Sequence, residues 1–298
     1  LHPASMTKMM TMLLIIESVE KGIINLDDMV TVSSNASSMG GSQILLETGE
    51  KMSVNDLLKG IAVASGNDAA VAMAEKIGGT EEAFVAMMNE RAKELGLNDT
   101  NFKNVHGLDD VNHYSSAYDM AMIAKELVKH PKILEFTSIY EDYLRKGTDR
   151  AFWLVNTNKL VRFYDGVDGL KTGYTSEAGH CLTATANIDG MRIIAVVMGE
   201  PDSNTRSSEV SSIFDYVYAQ YALDKVVTKD TDLGEYDVDK GKVNKIKVAP
   251  IEDVTILHKK AEKMDNVTYD IEVDKLIAPI NIGNLIGKFN FKAKRSRY

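Results

Sequence analysis

The first half of the chain repeats apolar residues at helical spacing. Apolar side chains recur every three or four positions over residues 5–21, and a lysine followed by Gly22 is a typical end of a helix. Three more segments, at residues 53–65, 80–96 and 116–130, each begin at a serine or threonine that can cap a helix. The pattern therefore predicts a mainly helical first half.

After residue 150 the pattern changes to short runs of apolar and β-branched residues. The runs at residues 167–174, 180–187 and 191–198 predict strands, and Asp189-Gly190 between the last two is a strong signal for a tight hairpin. We therefore expect adjacent antiparallel strands with helices against them. A further helix is predicted from Ser203, and its apolar face comprises Val210, Ile213, Phe214, Val217 and Tyr221.

Beyond about residue 224 the apolar residues occur in short alternating segments. These segments predict strands at residues 243–248, 254–258, 267–273 and 288–291. The charge changes at the same place, because residues 224–298 carry a net charge of +2 whereas the residues before them carry −11. The sequence thus predicts two domains, residues 1–223 and a small β-sandwich-like domain at residues 224–298.

Composition narrows the possible partners. The chain has 298 residues, of which 44% are apolar, and a net charge of −9, so nucleic acid is not expected as a partner. No run approaches the roughly 18 consecutive apolar residues of a membrane-spanning helix. The one cysteine, Cys181, excludes an internal disulfide and a cysteine-rich zinc site. A small or zwitterionic substrate fits this composition better than a nucleic acid does.

A serine and a lysine stand one helical turn apart at the start of the first predicted helix. In Ser5-Met6-Thr7-Lys8 the hydroxyl and the amine share a face. A lysine shielded from water has a pKa low enough for it to act as a base toward such a serine. About one Ser-x-x-Lys is expected by chance in a chain of this length, so a mere capping serine stays an alternative for this motif alone.

A second motif, Ser65-Gly66-Asn67, follows an apolar helical run. The glycine is expected to break the helix and to let both neighbouring side chains point into a cleft. There the Ser65 hydroxyl would relay a proton to a leaving amine, and the Asn67 amide would hold a peptide carbonyl of the substrate. An ordinary loop is the alternative for this motif alone.

A third motif, Lys171-Thr172-Gly173-Tyr174, lies on a predicted strand beside the hairpin. Lys171 is expected to offer a fixed positive charge and Thr172 a hydroxyl for a carboxylate. Gly173 would leave room for a ligand backbone at the strand edge, and the following backbone N–H would belong to an oxyanion hole. A solvated turn is the alternative.

The three motifs in this order resemble the signature of penicillin-recognising serine enzymes. Residues 41–44, 106–109, 114–119 and 174–179 are also similar to segments of low-molecular-mass penicillin-binding proteins of the D-alanyl-D-alanine carboxypeptidase type. The resemblance covers nearly the whole chain. It implies an α+β fold, in which a transpeptidase/β-lactamase-like domain with an antiparallel sheet and flanking helices precedes the small all-β domain.

The resemblance also implies a reaction. The substrate would be a peptidoglycan stem peptide ending in D-Ala-D-Ala, cleaved through an acyl-serine intermediate with release of D-alanine, and β-lactams would be covalent inhibitors. The implied roles are Ser5 as nucleophile, Lys8 as general base, Ser65 and Asn67 as the second wall of the cleft, Lys171, Thr172 and Gly173 as the substrate-binding strand, the N–H groups of Ser5 and Tyr174 as the oxyanion hole, and Arg206 as the partner of the substrate carboxylate.

Two other functions compete with this interpretation. A class A-like β-lactamase shares the first and third motifs, but such enzymes typically carry Ser-Asp-Asn and a loop glutamate, whereas Gly66 stands here and residues 100–110 contain no glutamate. A non-catalytic cell-wall binding protein would not need the intact motifs. A metal hydrolase is disfavoured, because the six histidines show no His-x-x-x-His or similar spacing of metal ligands. No metal or cofactor is therefore expected. His113 is expected in a surface loop.

The resemblance implies an extracytoplasmic location. Relatives of this type carry a signal peptide and sheet-forming residues before the first motif, whereas only four residues precede Ser5 here. We expect either that this sequence is a fragment of a longer chain or that those strands are supplied in another way. Membrane association is expected only through a C-terminal segment that this sequence does not include.

Overall fold

The structure is a computed structural model that describes the backbone of residues 1–296 and the side chains of residues 1–262 and 268–290. Its packing divides the chain into two compact units. The first comprises Leu1–Ile188 and Arg192–Phe214, and the second comprises Asp189–Met191 and the residues from Asp215 onward.

The first unit is mainly helical up to residue 163. A 3₁₀ turn at Ala4–Thr7 leads directly into α1. The helices are α1 (Lys8–Glu20), α2 (Ser34–Ser37), α3 (Val54–Ala64), α4 (Asn67–Gly78), α5 (Glu81–Glu94), α6 (Ala117–Leu127), α7 (Pro131–Thr137), α8 (Leu160–Phe163) and α9 (Ser203–Gln220), the last of which runs on into the second unit.

The predicted helix starts are confirmed by their caps. The side chains of Ser53, Thr80 and Ser116 each accept a hydrogen bond from the backbone N–H three residues later. Four of the described helices were not predicted, namely the four-residue helices α2 and α8 and the longer helices α4 and α7. In α4 nearly every residue up to Ala74 is buried, so no polar face marks a helical period, and α7 begins at Pro131, which is tolerated in the first turn.

The central helix α1 supports the first motif. Each of its residues from Lys8 to Ser18 is buried, as expected for a helix with neighbours on all sides. The 3₁₀ turn that carries Ser5 is therefore attached to a rigid part of the core.

A three-stranded sheet lies beside this helical part. It comprises β5 (Val167–Thr175), β6 (Gly179–Ile188) and β7 (Met191–Glu200), in the order β5-β6-β7. Strands β5 and β6 are antiparallel, and Gly173 pairs with Cys181. Asp189 and Gly190 have φ of 52° and 83°, the two positive values that a type I′ turn requires, so the predicted hairpin is confirmed.

Two short strand pairs complete the first unit. Strand β1 (Met29–Thr31) pairs with β2 (Lys51–Ser53), and β3 (Glu141–Leu144) pairs with β4 (Phe152–Val155), both antiparallel. Strands of three or four residues are too short to show a clear alternation in sequence, which is why neither pair was predicted.

The predicted apolar face of α9 is partly wrong. Val210 and Phe214 are buried as expected, but Ile213 is 37% exposed and Tyr221 lies beyond the helix, in a strand. The buried positions follow a spacing of four residues, and the third of them is Arg206. The helix thus buries a cation in line with its apolar residues.

The second unit consists of antiparallel strand pairs. Strand β8 (Tyr221–Val227) pairs with β11 (Val254–Lys259), β9 (Glu235–Asp237) with β10 (Lys245–Lys247), and β12 (Lys263–Val273) with β13 (Gly287–Ser296). The four predicted segments overlap with β10 to β13, whereas β8 and β9 were not predicted. Residue 224 lies within β8, and the division into residues 1–223 and 224–298 stays a prediction. Among the described residues, no helix combines the length and apolar character needed to cross a bilayer.

Candidate active site

The side chains of Ser5 and Lys8 are in direct contact. Lys8 Nζ lies 2.9 Å from Ser5 Oγ, 2.6 Å from Oδ1 of Asn67 and 2.7 Å from the carbonyl oxygen of His106. The helical spacing of the first motif places the hydroxyl beside the amine, as the sequence predicts. The other two partners come from distant parts of the chain and were not predicted.

The surroundings of Lys8 favour a neutral amine. Burial, and then the charge of Lys171, lower the pKa of Lys8 well below its ordinary value, while Asp68 opposes the shift. A neutral amine has two N–H donors and one lone pair. It donates to the oxygens of Asn67 and His106, which leaves the lone pair to accept the Ser5 hydroxyl hydrogen. The geometry is therefore suited to proton transfer from Ser5.

Two glycines allow other backbone segments to approach the turn that carries Ser5. A Cβ added at Gly107 would collide with the carbonyl group of Ala4, and one at Gly173 would lie 2.8 Å from the Pro3 carbonyl oxygen. The sequence predicted that Gly173 leaves room for a ligand. The turn fills the space on the Cβ side of Gly173, so the glycine is needed for packing of β5 against Ser5. Pairing of a ligand with the strand edge stays a prediction.

The second motif adopts a different backbone from the one expected. Ser65, not Gly66, takes the left-handed conformation, with φ of 64° at the end of α3, and Gly66 precedes α4 with φ of −57°. The Ser65 Oγ atom is buried and has no hydrogen-bond partner among the described residues. Its hydroxyl is therefore available for a bound molecule.

The side chain of Asn67 bonds to two other parts of the protein. Its Oδ1 accepts from Lys8 Nζ, and its Nδ2 donates to the carbonyl oxygen of Gly40 at 2.7 Å. The amide has a second N–H, so the expected contact of Asn67 with a peptide carbonyl of the substrate stays a prediction. Asn67 fixes the position of the Lys8 amine.

The third motif holds a buried cation. Lys171 is fully buried, and its Nζ donates to the carbonyl oxygen of Thr172 at 3.2 Å. Burial, with a contribution from the charge of Arg206, lowers the pKa of Lys171 to about 7. Burial thus disfavours the protonated form of Lys171 in the free protein, and the expected positive charge stays a prediction.

A second buried cation belongs to the same region. Arg206 is only 6% exposed, its Nε has no hydrogen-bond partner among the described residues, and burial lowers its pKa. Its charge acts on that of Lys171. In the part of the chain that the structure describes, neither cation has a carboxylate partner within 4.0 Å. Two buried cations without a counter-charge favour binding of an anion.

Comparison with known proteins agrees with this geometry. Residues 1–202 match the sequence profile of the family D-alanyl-D-alanine carboxypeptidase, and residues 221–296 match that of the penicillin-binding protein 5 C-terminal domain. The chain belongs to the D-alanyl-D-alanine carboxypeptidase family. It is a serine-type carboxypeptidase of the low-molecular-mass penicillin-binding protein type, and it acts on the cell wall.

The similarity to individual relatives covers nearly the whole chain of this carboxypeptidase. D-alanyl-D-alanine carboxypeptidase DacF of Bacillus subtilis (strain 168) is 53% identical over 293 residues, which are 98% of this chain and 75% of that protein. The structure of penicillin binding protein 5 from Haemophilus influenzae is similar, with a TM-score of 0.78, 35% identity, and coverage of 99% of this chain and 87% of that one.

A further neighbour supports the fold. A peptidoglycan synthesis regulatory factor (PBP3) from Streptococcus pneumoniae superposes with a TM-score of 0.81 at 28% identity, and the match covers 98% of this chain and 86% of that one. These structures confirm the α+β transpeptidase/β-lactamase-like fold with a C-terminal β domain. The family match does not favour the β-lactamase and the non-catalytic alternatives.

Residues that the motifs do not include also build the carboxypeptidase site. The Asp68 carboxylate accepts backbone hydrogen bonds from Ile44 at 3.1 Å and Leu46 at 3.0 Å, and the Asn67 N–H donates to the carbonyl oxygen of Ser42. Segment 42–46 is thereby attached to the start of α4. An acidic residue in a first helical turn, directly after Asn67, was the available signal.

The other missed partner belongs to Thr172. Its hydroxyl donates to Oγ1 of Thr157 at 2.7 Å, and the Thr157 N–H donates to the carbonyl oxygen of Val63 in α3. Thr157 therefore connects the third motif with the helix that ends at Ser65. No local pattern distinguishes it from other threonines.

Tyr174 and His113, for which the sequence also made predictions, have different environments. Tyr174 is 60% exposed, and its ring centroid lies 4.4 Å from that of His180. His113 is buried, so its expected place in a surface loop is wrong. Its Nδ1 accepts the Lys103 N–H, which leaves Nε2–H to donate to Thr7 Oγ1 at 2.8 Å, and burial lowers the pKa of His113 to about 4.

A carboxylate and histidine group lies outside the three motifs. Ligand atoms of Glu17, Glu126 and His130 lie within 4.8 Å of one another. The guanidinium of Arg91 contacts the carboxylates of Glu17 at 2.7 Å and Glu126 at 3.2 Å. The arginine already balances the charge that a metal ion would neutralise.

Proposed function

We propose that this carboxypeptidase removes the terminal D-alanine from peptidoglycan stem peptides through an acyl-enzyme on Ser5, and that β-lactams acylate the same hydroxyl. The contact of Lys8 with Ser5 carries the proposal. The partners of Lys8 are uncharged and its N–H groups are occupied, so the remaining lone pair faces the hydroxyl that must lose a proton.

Acylation begins with attack of Ser5 Oγ on the carbonyl carbon between the two D-alanines. The hydroxyl proton moves to Lys8 Nζ as the C–O bond forms, and the N–H groups of Ser5 and Tyr174 stabilise the charge on the carbonyl oxygen. The C–N bond then breaks, and the proton passes from Lys8 through the Ser65 hydroxyl to the leaving amine. The products are an ester on Ser5 and free D-alanine.

Deacylation uses the same groups in reverse. A water molecule attacks the ester carbonyl, and Lys8 accepts its proton. When the bond to Ser5 Oγ breaks, that proton returns to Ser5. The products are the shortened stem peptide with a free carboxylate and the regenerated enzyme.

Recognition of the substrate carboxylate falls to Lys171, Thr172 and Arg206. Two buried cations without a carboxylate partner support this assignment, because an anion offsets the cost of burying them. The Thr172 hydroxyl donates to Thr157 in the free protein, and the pair can reverse so that Thr157 donates and Thr172 turns to the ligand. The charge of a bound carboxylate would favour the protonated form of Lys171.

The substrate also sets the proposed location. Peptidoglycan lies outside the cytoplasmic membrane of bacteria. We therefore infer that the enzyme works in an extracytoplasmic compartment, at the outer face of that membrane or in its surroundings.

Intact-mass measurement after exposure to penicillin tests the proposal. The wild type is expected to gain one covalent equivalent and Ser5→Ala none, while Ser34→Ala, which removes an exposed hydroxyl, labels like the wild type. Labelling of Ser5→Ala would contradict the assignment of the nucleophile. Rapid turnover of nitrocefin by the wild type would instead favour the β-lactamase alternative.

A further inference from the structure

An exposed aromatic pair lies on the β3–β4 hairpin of the first unit. Tyr143 and Trp153 are directly opposed across the two strands, and they are 46% and 55% exposed. The opposite face of the hairpin carries Leu144 and Leu154, which are buried. Trp153 is the one tryptophan of the chain. The hairpin therefore packs through its leucines and presents its aromatic rings to solvent.

Folding alone does not require two large rings at this place. A cross-strand aromatic pair contributes up to about 1 kcal/mol to a hairpin, but about half of the surface of these two residues stays exposed and gains nothing from burial. Rigid, half-exposed aromatic side chains are the groups that binding surfaces use, since few rotamers are lost when a ligand covers them. The pair thus has the features of a contact surface.

Polar groups beside the rings indicate what kind of molecule would fit. Glu141 is exposed on the same face of β3, and the Lys146 ammonium lies 6.0 Å from the centroid of the Tyr143 ring. A sugar pyranose has one face of C–H groups, which stacks on an aromatic ring, and a rim of hydroxyls, which bond to carboxylates and ammonium groups. An aromatic pair with a neighbouring carboxylate and ammonium matches this chemistry.

The hairpin is continuous with the active site. Strand β4 ends at Val155, and Thr157, two residues later, bonds to Thr172 of the third motif. Trp153 and Thr157 are four residues apart, so their Cα atoms are separated by at most about 14 Å. The aromatic pair therefore lies within reach of a polymeric substrate bound at Ser5.

We propose that Tyr143 and Trp153 form a platform that binds a pyranose unit of the glycan strand to which the stem peptide is attached. The proposal rests on the proposed function, because it takes the peptidoglycan polymer as substrate. About four residues of stem peptide separate the scissile bond from the sugar, and in extended form they also span roughly 14 Å. One polymer molecule can thus occupy the catalytic serine and the platform together.

Tryptophan fluorescence tests the binding directly, because Trp153 is the one tryptophan of the chain and therefore the source of all tryptophan emission. Titration with a peptide-free tetramer of N-acetylglucosamine is expected to change the emission in a saturable way. Tyr143→Ala should raise the dissociation constant by about tenfold, whereas Tyr118→Ala, which removes an exposed ring on α6, should leave it unchanged. An emission that does not respond, or an equal affinity in Tyr143→Ala, overturns the proposal.

Kinetics on two substrates separate the platform from the catalytic site. Trp153→Ala is expected to lower kcat/KM by about tenfold on uncross-linked glycan strands that carry stem peptides, mainly through KM, and to leave a short acyl-D-Ala-D-Ala peptide unaffected. Trp153→Phe should retain most of the polymer activity. Equal effects on both substrates, or none on the polymer, contradict the platform.

The fluorescence titration and the kinetic comparison test the platform and the proposed function separately. A wild-type enzyme that cleaves neither substrate contradicts the proposed function, while the fluorescence titration still decides whether the glycan binds. A wild-type enzyme that cleaves the short peptide but shows no fluorescence response retains the proposed function and loses the platform.

Discussion

The side-chain amide of Asn67 accepts a hydrogen bond from Lys8 Nζ at 2.6 Å. The two residues are 59 positions apart in sequence, and they meet because α4 begins directly beside the first turn of α1. The uncharged amide holds the amine without stabilising its protonated form as a carboxylate would. Asn67 thus fixes the position of Lys8 without placing a negative charge beside the amine.

Replacement of Asn67 by aspartate should move acylation to higher pH. A carboxylate beside Lys8 favours the ammonium form and raises the pKa of Lys8, so less neutral amine is present at pH 7. We expect β-lactam acylation of Asn67→Asp to be about ten- to a hundredfold slower at pH 7 and to recover as pH rises. Stopped-flow acylation between pH 6 and 10 measures this, and an unshifted profile would show that Lys8 is not the base.

Arg206→Ala should affect substrates according to their C-terminal group. Loss of a charge-assisted hydrogen bond is expected to lower kcat/KM on free-acid peptides by about ten- to a hundredfold, with little change on C-terminally amidated analogues. Arg162→Ala, which removes an exposed arginine, is the matched control. The acid-to-amide ratio of kcat/KM is the readout, and a constant ratio would mean that the carboxylate is bound elsewhere.

Lys171→Met should stabilise the fold while it weakens activity. The folded-state pKa of Lys171 is about 7 against an ordinary value of 10.5, so the unfolded chain binds more protons between these values and stability rises with pH there. Below about pH 6 the folded protein bears the full cost of the buried charge, and we expect Lys171→Met to raise the free energy of unfolding by about 2 to 4 kcal/mol.

The pH dependence of the gain in stability distinguishes the loss of a titrating buried amine from a general stabilising effect of methionine. The gain in Lys171→Met should shrink as pH rises from about 7 toward 10, as measured by urea unfolding at several pH values. Lys93→Met, at an exposed position on α5, should show no such trend. A gain that is constant from pH 6 to 9 would argue against titration of Lys171 in this range.

Gly107→Ala should disturb the turn that carries Ser5. Gly107 and Gly96 both have positive φ, of 91° and 71°, so a conformational cost of about 1 kcal/mol applies to an alanine at either place. Only at Gly107 would the added Cβ meet the Ala4 carbonyl group, whereas nothing lies near Gly96. We expect Gly107→Ala to lose about 1 to 3 kcal/mol more stability than Gly96→Ala and to acylate more slowly. Thermal unfolding and acylation rates of the two variants decide the matter.

Local signals in the sequence determined much of the fold. Capping side chains defined the starts of α3, α5 and α6, and Asp189-Gly190 defined the hairpin, since each acts over only a few residues. The contact between Ser5 and Lys8 follows from helical spacing in the same way. Other elements were missed, namely the helices α2, α4, α7 and α8, the short strand pairs β1–β2 and β3–β4, and the strands β8 and β9.

Tertiary structure decided the chemistry of the site. The partners of Lys8 lie 59 and 98 residues away in sequence, and no pattern in the chain indicates that the carbonyl of His106 or the amide of Asn67 reaches the amine. The burial that lowers the pKa of Lys171 and encloses His113 is likewise a property of the packed core. The sequence by itself could name the reactive groups, but their protonation, their partners and the space around them depend on desolvation and on long-range contacts, which exist only in the folded chain.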